Sequence, residues 1–350
     1  MITRLFTIVL IHVLVASSFG QETSELRFGG KVPADVKRIY DRGLNYLVQS
    51  QQNNGTWGSS SHSSYRNGVT ALCIMAILSC GEDPNFGRYS VTLHRAIRSL
   101  INVQDSKTGY FEHSMYDHGF SMLALSEAYG AVDDRILWKQ QKSDDNTISI
   151  GKSLELAVKC AVTSQNQNPN GAWRYSPDAT DADTSIAGAV LVGLLAARNA
   201  GIEVPDTNIE QALDYFALMT SPDGSVGYSG LGSWGQSLAR SSIANLVLSV
   251  SKHKDWEEHK LTLQHIKKNI NAETSNHWSK EYSNYYVAQA LFQSDFDAWQ
   301  EWNLETIEFL KKTQRSDGSF DFGSHGIQYS TSMSLLALAL NYRILPIYER

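Results

Sequence analysis

Val36, Ile39, Tyr40, Gly43, Leu44 and Leu47 are separated by polar residues. This i, i+3, i+4, i+7 stripe predicts a helix buried on one face. A glutamine follows, Gln51, with a turn to Gly58. Then comes Val69-Thr70-Ala71-Leu72-Cys73-Ile74-Met75-Ala76, a stretch beginning near Tyr65 that has no charged face. A helix that is apolar all round belongs to an inner layer.

The same order recurs along the chain: a one-sided helix, a glutamine, a Gly-x-aromatic turn, a fully apolar helix. A second unit has Leu93, Ala96, Ile97, Leu100 and Ile101, then Gln104 to Phe111, then Gly119 to Tyr129. A polar stretch, Lys139 to Asn146, reads as an exposed loop. The third unit has Leu154, Ala157, Val158 and Ala161, then Gln165 and Gly171-Ala172-Trp173, then a helix following Asp181-Ala182-Asp183-Thr184-Ser185. The fourth carries Ile209, Ala212, Leu213 and Phe216, Ser221-Pro222-Asp223-Gly224, and Ala239 to Val250. The fifth is eroded but keeps Leu263, Ile266 and Ile270, His277-Trp278, and Tyr285 to Phe292. The sixth has Phe309-Leu310, Gln314, Ser316-Asp317-Gly318-Ser319-Phe320, then Tyr329 leading into Leu335-Leu336-Ala337-Leu338.

Helix pairs of this kind cannot bury their apolar faces alone and must stack or close. Two concentric rings satisfy both patterns, so the expected fold is all-α: an α/α toroid of six helix-pair repeats, with an inner and an outer ring. Within it, Gln51, Trp57, Gln165, Trp173, Gln314 and Phe320 are expected first to hold the turns. Glycine supplies the left-handed backbone that ends a helix, and a glutamine amide satisfies orphan backbone groups.

Composition narrows the function classes. The 350-residue chain is 42% hydrophobic and 19% charged, with a net charge of −6. Broad disorder and a nucleic-acid partner are both disfavoured. Residues 1–20 have Arg4, an apolar core from Leu5 to Val15, and small residues before Gly20, the layout of a cleavable signal peptide. The expectation is therefore a signal at 1–20, one toroid domain over 21–350, no transmembrane span in the mature chain, and a secreted or periplasmic location. Cys73 and Cys80, on one helix, would be separated by about 10 Å of rise, beyond disulfide reach. With Cys160 they read as core residues.

The run Arg42-Gly43-x-x-Tyr46-Leu47-x-x-x-Gln51-x-x-x-Gly55-x-Trp57 resembles the repeat of the prenyltransferase and squalene-oxidase family over roughly residues 33 to 345. Met115 to Phe120, Gly171 to Tyr175 and Leu345 to Arg350 look closest to an exported bacterial branch. The resemblance implies an α/α toroid with a central cavity. It does not supply the chemistry. Aligning Asp183-Thr184-Ser185 with the end of the cyclase Asp-x-Asp-Asp-Thr motif puts Ala182 at the proton donor's place. The Asp-x-Cys context of the prenyltransferase zinc site is missing as well, and no metal or cofactor is expected. Cys80-Gly81-Glu82 lacks the glutamine a thioester needs, since Asp83 follows.

What remains is the ring of residues opening each inner helix, including His62, Tyr65, Tyr116, Asp117, His118, Asp181, Asp183, Trp234, Arg240, Tyr282, Tyr285, Tyr286, His325 and Tyr329. Such starts share one rim of a toroid and aim helix dipoles at it. Two readings compete. The first is a toroid that binds an extended small-molecule, terpenoid or glycan ligand through Tyr65, Tyr116, Asp117, Trp173, Arg240, Tyr285, Tyr286 and Tyr329. The second is an enzyme, a divergent terpenoid cyclase or a glycan lyase or hydrolase, with Asp181 or Asp183 paired to His118 as acid and base. A structural protein with aromatic rings plugging the centre is the third possibility.

Overall fold

In the computed structural model, residues 32–58, 65–139, 147–230, 237–271, 280–323 and 325–348 are described. The expected signal segment, His62, Trp234 and the His277-Trp278 turn lie outside them. Thirteen α-helices form, and no β-strand occurs among the described residues. The outer helices are α1 (Ala34–Ser50), α3 (Ser90–Asn102), α6 (Ile150–Gln167), α8 (Asp206–Met219), α10 (Glu257–Asn269) and α12 (Phe296–Thr313). The inner helices are α2 (Arg66–Leu78), α4 (Met115–Ala128), α7 (Thr184–Asn199), α9 (Leu238–Val250), α11 (Lys280–Ser294) and α13 (Ile327–Ala339). A short helix, α5 (Asp134–Leu137), interrupts the second connection.

Burial follows the sequence pattern. In α1 only the stripe Val36, Ile39, Tyr40, Gly43, Leu44 and Leu47 is buried, whereas α7 is buried from Ile186 to Ala197 on every side. Each inner helix packs on the next, and α13 returns to α2, so the inner ring closes. The architecture is the expected α/α toroid.

The repeated glutamine is the joint between units. Gln51 donates through Nε2 to the carbonyl of Gly55 in its own turn and to that of Thr92 on the next outer helix. Gln104 does the same to Gly109 and Ser153, and Gln165 to Gly171 and Asn208. Gln314 binds Gly318 and Ile39, which carries the joint from α12 back to α1. The turn glycine is required at these places. Gly318 has φ +92°, and a Cβ there would lie 2.3 Å from the Arg42 carbonyl oxygen.

Aromatic turn residues complete each joint. The Trp57 indole donates to the Leu47 carbonyl, one of those left over at the end of α1, and the Trp173 indole donates to the Ala161 carbonyl of α6. Both rings are buried. Trp173, a candidate ligand contact on sequence grounds, is thus a turn anchor.

The ends of the ring differ. At the C-terminal ends of the inner helices the segment 345–347 folds in, with Leu345 and Ile347 buried. The Ile347 N–H lies 3.5 Å from Glu127 Oε2, near the end of α4. Below the opposite mouth, Tyr285 packs edge to face on Tyr286 and at a tilt against Phe120. The three cysteines are unpaired, with Cys73 and Cys160 buried and Cys80 lying just past the end of α2. No described helix is long and apolar enough to cross a membrane.

Candidate active site

All six inner helices contribute to a cavity of about 470 Å³ at their N-terminal ends. Gly68, Val69 and Leu72 come from α2, and Tyr65 from the position preceding it. The other helices supply Tyr116, Asp117 and Phe120 (α4), Ser185 with the cap residue Asp183 (α7), Arg240 (α9), Tyr282 (α11) and Tyr329 (α13). Tyr175, Tyr228 and His325 lie in the connections. Tyr65 is 44% exposed at the mouth, while Asp117 and Asp183 are 2% and 1% exposed. The space is therefore a funnel, with tyrosines at its lip and carboxylates in its deeper wall.

The tyrosines form a neutral lining. Burial raises the hydroxyls of Tyr116 and Tyr329 well above their ordinary value. Burial also raises Tyr282, whose hydroxyl pairs with that of Tyr116. The Tyr65 and Tyr329 rings flank His325 edge to face, with centroids 5.3 and 5.0 Å away. The guanidinium of Arg240 donates from Nε to the Val226 carbonyl and lies 5.9 Å from the Tyr228 ring centroid.

The two carboxylates sit on neighbouring helices. Gly119 of α4 and Gly193 of α7 permit a backbone-to-backbone approach: a Cβ on Gly119 would lie 2.7 Å from the Ala189 carbonyl carbon. Asp117 Oδ1 accepts the Gly68 N–H at 2.6 Å, and Oδ2 accepts the Ser114 hydroxyl at 2.8 Å. Burial outweighs both bonds and lifts the carboxyl to about 6. Asp183 caps α7, with Oδ1 accepting the N–H groups of Ser185 and Ile186. Its Oδ2 is buried without a hydrogen-bond partner. The Tyr228 hydroxyl faces this carboxylate and is raised, first by burial and then by Tyr175 and Asp183.

The other sequence candidates lie elsewhere. Helix α4 begins at Met115, one turn before the Gly119 start that the apolar run predicts, so His118 falls inside it. His118 is fully buried behind the ring. Its Nδ1 accepts the Phe111 N–H and its Nε2 donates to the Ala157 carbonyl. It holds the second turn much as Thr70 holds Trp57 N–H and Thr331 holds Phe320 N–H. Burial lowers its pKa to about 4. Asp181 is exposed and paired with Arg174 at 2.8 Å, away from the cavity. The expected pair of His118 with Asp181 or Asp183 therefore does not assemble. Tyr285 and Tyr286 lie beneath the cavity, not on its wall. Tyr65, Tyr116, Asp117, Asp183, Arg240 and Tyr329 are brought together. Ser185 and Phe120, missed in the sequence, join them. No group of three or more His, Cys, Asp or Glu side chains among the described residues is placed to hold a metal.

Known structures share this ring. The inactive α-1,6-mannanase GH76A of Salegentibacter sp. HEL1_6, with two aspartates changed to asparagine and α-1,6-mannotriose bound, superposes with a TM-score of 0.61 at 10% identity, over 87% of this chain and 99% of that one. The type II terpene cyclase MstE from Scytonema without ligand gives 0.59 at 12% identity, over 89% and 100%. An aspartate-to-asparagine variant of that cyclase with geranylgeranyl dihydroxybenzoate gives 0.55 at 14%, over 89% and 98%. At these identities the likeness establishes the fold alone. No curated protein matches the sequence. The chain belongs to the DUF6288 family (domain of unknown function), whose model matches residues 36–344.

Proposed function

We propose that this chain is an acid–base enzyme that holds an uncharged, ring-bearing ligand in the funnel, with Asp117 as proton donor and Asp183 as the carboxylate that accepts a proton. One observation carries the reading. Two nearly buried carboxylates from adjacent inner helices open on one aromatic-walled cavity, and their oxygens are differently occupied. Paired carboxylates in unlike environments divide the roles of acid and base. A carboxyl near 6 still carries its proton in mildly acidic solution, and the unpartnered Asp183 Oδ2 is available to a ligand or a water. The tyrosine lining supplies apolar faces and neutral hydroxyls, which suit sugar rings or polycyclic skeletons. Among the similar structures, a mannanase variant with two aspartates replaced holds α-1,6-mannotriose, and a terpene cyclase variant with one aspartate replaced holds geranylgeranyl dihydroxybenzoate. Export, expected from residues 1–20, would give such an enzyme extracytoplasmic substrates.

The test is product formation from glycans and from geranylgeranyl compounds, followed by mass spectrometry. Asp117→Asn is expected to cut turnover by about 10²–10⁴-fold, the usual share of a general acid. Wild-type rates should fall as pH rises through about 6, because the donor form is then lost. Undiminished turnover in Asp117→Asn would remove Asp117 from the mechanism.

A second reading, binding without turnover, has its own support. Both oxygens of Asp117 already accept hydrogen bonds that tie α2 to α4. Ligand uptake by the wild type with no product from either class would favour it.

A further inference from the structure

We infer, resting on the reading above, that the ligand is a linear oligosaccharide whose terminal unit enters the funnel while the rest lies in a groove beside it. A second depression, of about 560 Å³, runs between α9, α11 and α12. It shares Ser185, Tyr228, Arg240 and Tyr282 with the funnel, so the two spaces meet at those side chains. Each falls within the range of about 300–1,000 Å³ that takes one small ligand. A molecule occupying both is elongated.

The chemistry of the groove selects its class. Trp302 and Phe309 present partly exposed rings, and Lys280 sits 3.8 Å above the Phe309 centroid. Between and around them lie Asn271, Asn284 and Glu305. Aromatic faces alternating with amide, carboxylate and ammonium groups match a pyranose chain, which offers an apolar ring face and a belt of hydroxyls. A hydrocarbon tail would strip water from this polar rim and return no hydrogen bonds, so it is disfavoured there. The funnel is closed below by Phe120, Tyr285 and Tyr286, and the far end of the ring is filled by Leu345 and Ile347. A chain cannot thread through the ring. Its end must enter, and the bond presented to Asp117 and Asp183 is one near that terminus.

The experiment measures binding on the Asp117→Asn variant, so that cleavage does not intrude. Probes are mono- to hexasaccharides of β-1,4-glucose, β-1,4-xylose, β-1,4-N-acetylglucosamine and α-1,6-mannose, with detergent-solubilised geranylgeraniol as the comparison. Expected is at least one sugar series whose affinity rises tenfold or more between the disaccharide and the tetrasaccharide. Adding Trp302→Ala should abolish that gain and leave disaccharide affinity in place, with circular dichroism confirming the helical fold despite the packing this half-buried ring gives up. No binding by any series, affinity independent of length, a gain untouched by Trp302→Ala, or uptake of geranylgeraniol alone would each overturn the inference. The catalytic reading fails separately. If Asp117→Asn turns substrate over as fast as the wild type, the acid role is lost, yet the length dependence would stand.

Discussion

One glutamine amide bridging two carbonyls recurs with the same partners in four units of this ring. Removing the amide takes one hydrogen bond from the turn carbonyl and one from the neighbouring helix, and uncouples the two units. Gln165, nearly fully buried and also accepting from Asn208, is the clearest case. Gln165→Ala should lower stability by about 1–3 kcal/mol in denaturant titrations, with helix content unchanged. The histidine joint behaves differently because it titrates. His118 is held neutral with its pKa near 4, whereas the unfolded chain takes up that proton near 6.5. Its contribution is therefore fully present above about 6.5 and lost as pH falls toward 4. Asp117 runs the other way. Its carboxyl, raised to about 6, costs stability at neutral pH, and that cost is relieved as pH falls through 6. Replacing His118 with glutamine should therefore flatten the acid loss of stability between pH 6.5 and 4. An unchanged pH profile would show that this ring does not control it.

Among the elements, the contact of α4 with α7 positions the site, and it depends on two residues without side chains. A methyl group on Gly119 would press on the Ala189 backbone, which cannot yield as a side-chain tip can. Gly119→Ala should cost about 1–3 kcal/mol by overpacking and should impair turnover by more than that stability loss alone explains. Thermal melts paired with kinetic assays separate the two effects. This contact also shows where the sequence was legible. Apolar periodicity identified both helices, because burial on all sides leaves an unmistakable run such as Ile186 to Leu195. Periodicity does not mark where a helix starts. Helix α4 starts one turn before the expected Gly119, so His118 lies inside it and Asp117 is the residue that faces the cavity. A local signal was present. Ser114 and Asp117 have capping-box spacing, and they exchange hydrogen bonds at the start of α4. Asp183 was legible as a cap, but its unoccupied oxygen depends on neighbours far away in sequence. The lateral groove likewise depends on how α11 and α12 lean together, which no linear pattern encodes.

For the molecule as a whole, the joint between the last unit and the first repeats the others in chemical detail. Arg42 of α1 donates to the carbonyls of Arg315 and Ser316 in the sixth turn, as Arg95 of α3 does to Gln52 and Asn53 in the first. Gln314 reaches Ile39 as Gln51 reaches Thr92. Lys311 and Asp35 add an ion pair at 2.7 Å across the same boundary. In energetic terms the circle has no first member, so the point at which the polypeptide is cut is arbitrary. Val32, just before α1, and Tyr342, just after α13, border one surface hollow, so the chain enters and leaves the ring at one place. A circularly permuted version, with a flexible tether from Tyr348 back to Val32 and newly opened at the exposed Gly201 between α7 and α8, should adopt the same helical content and melt in a single transition.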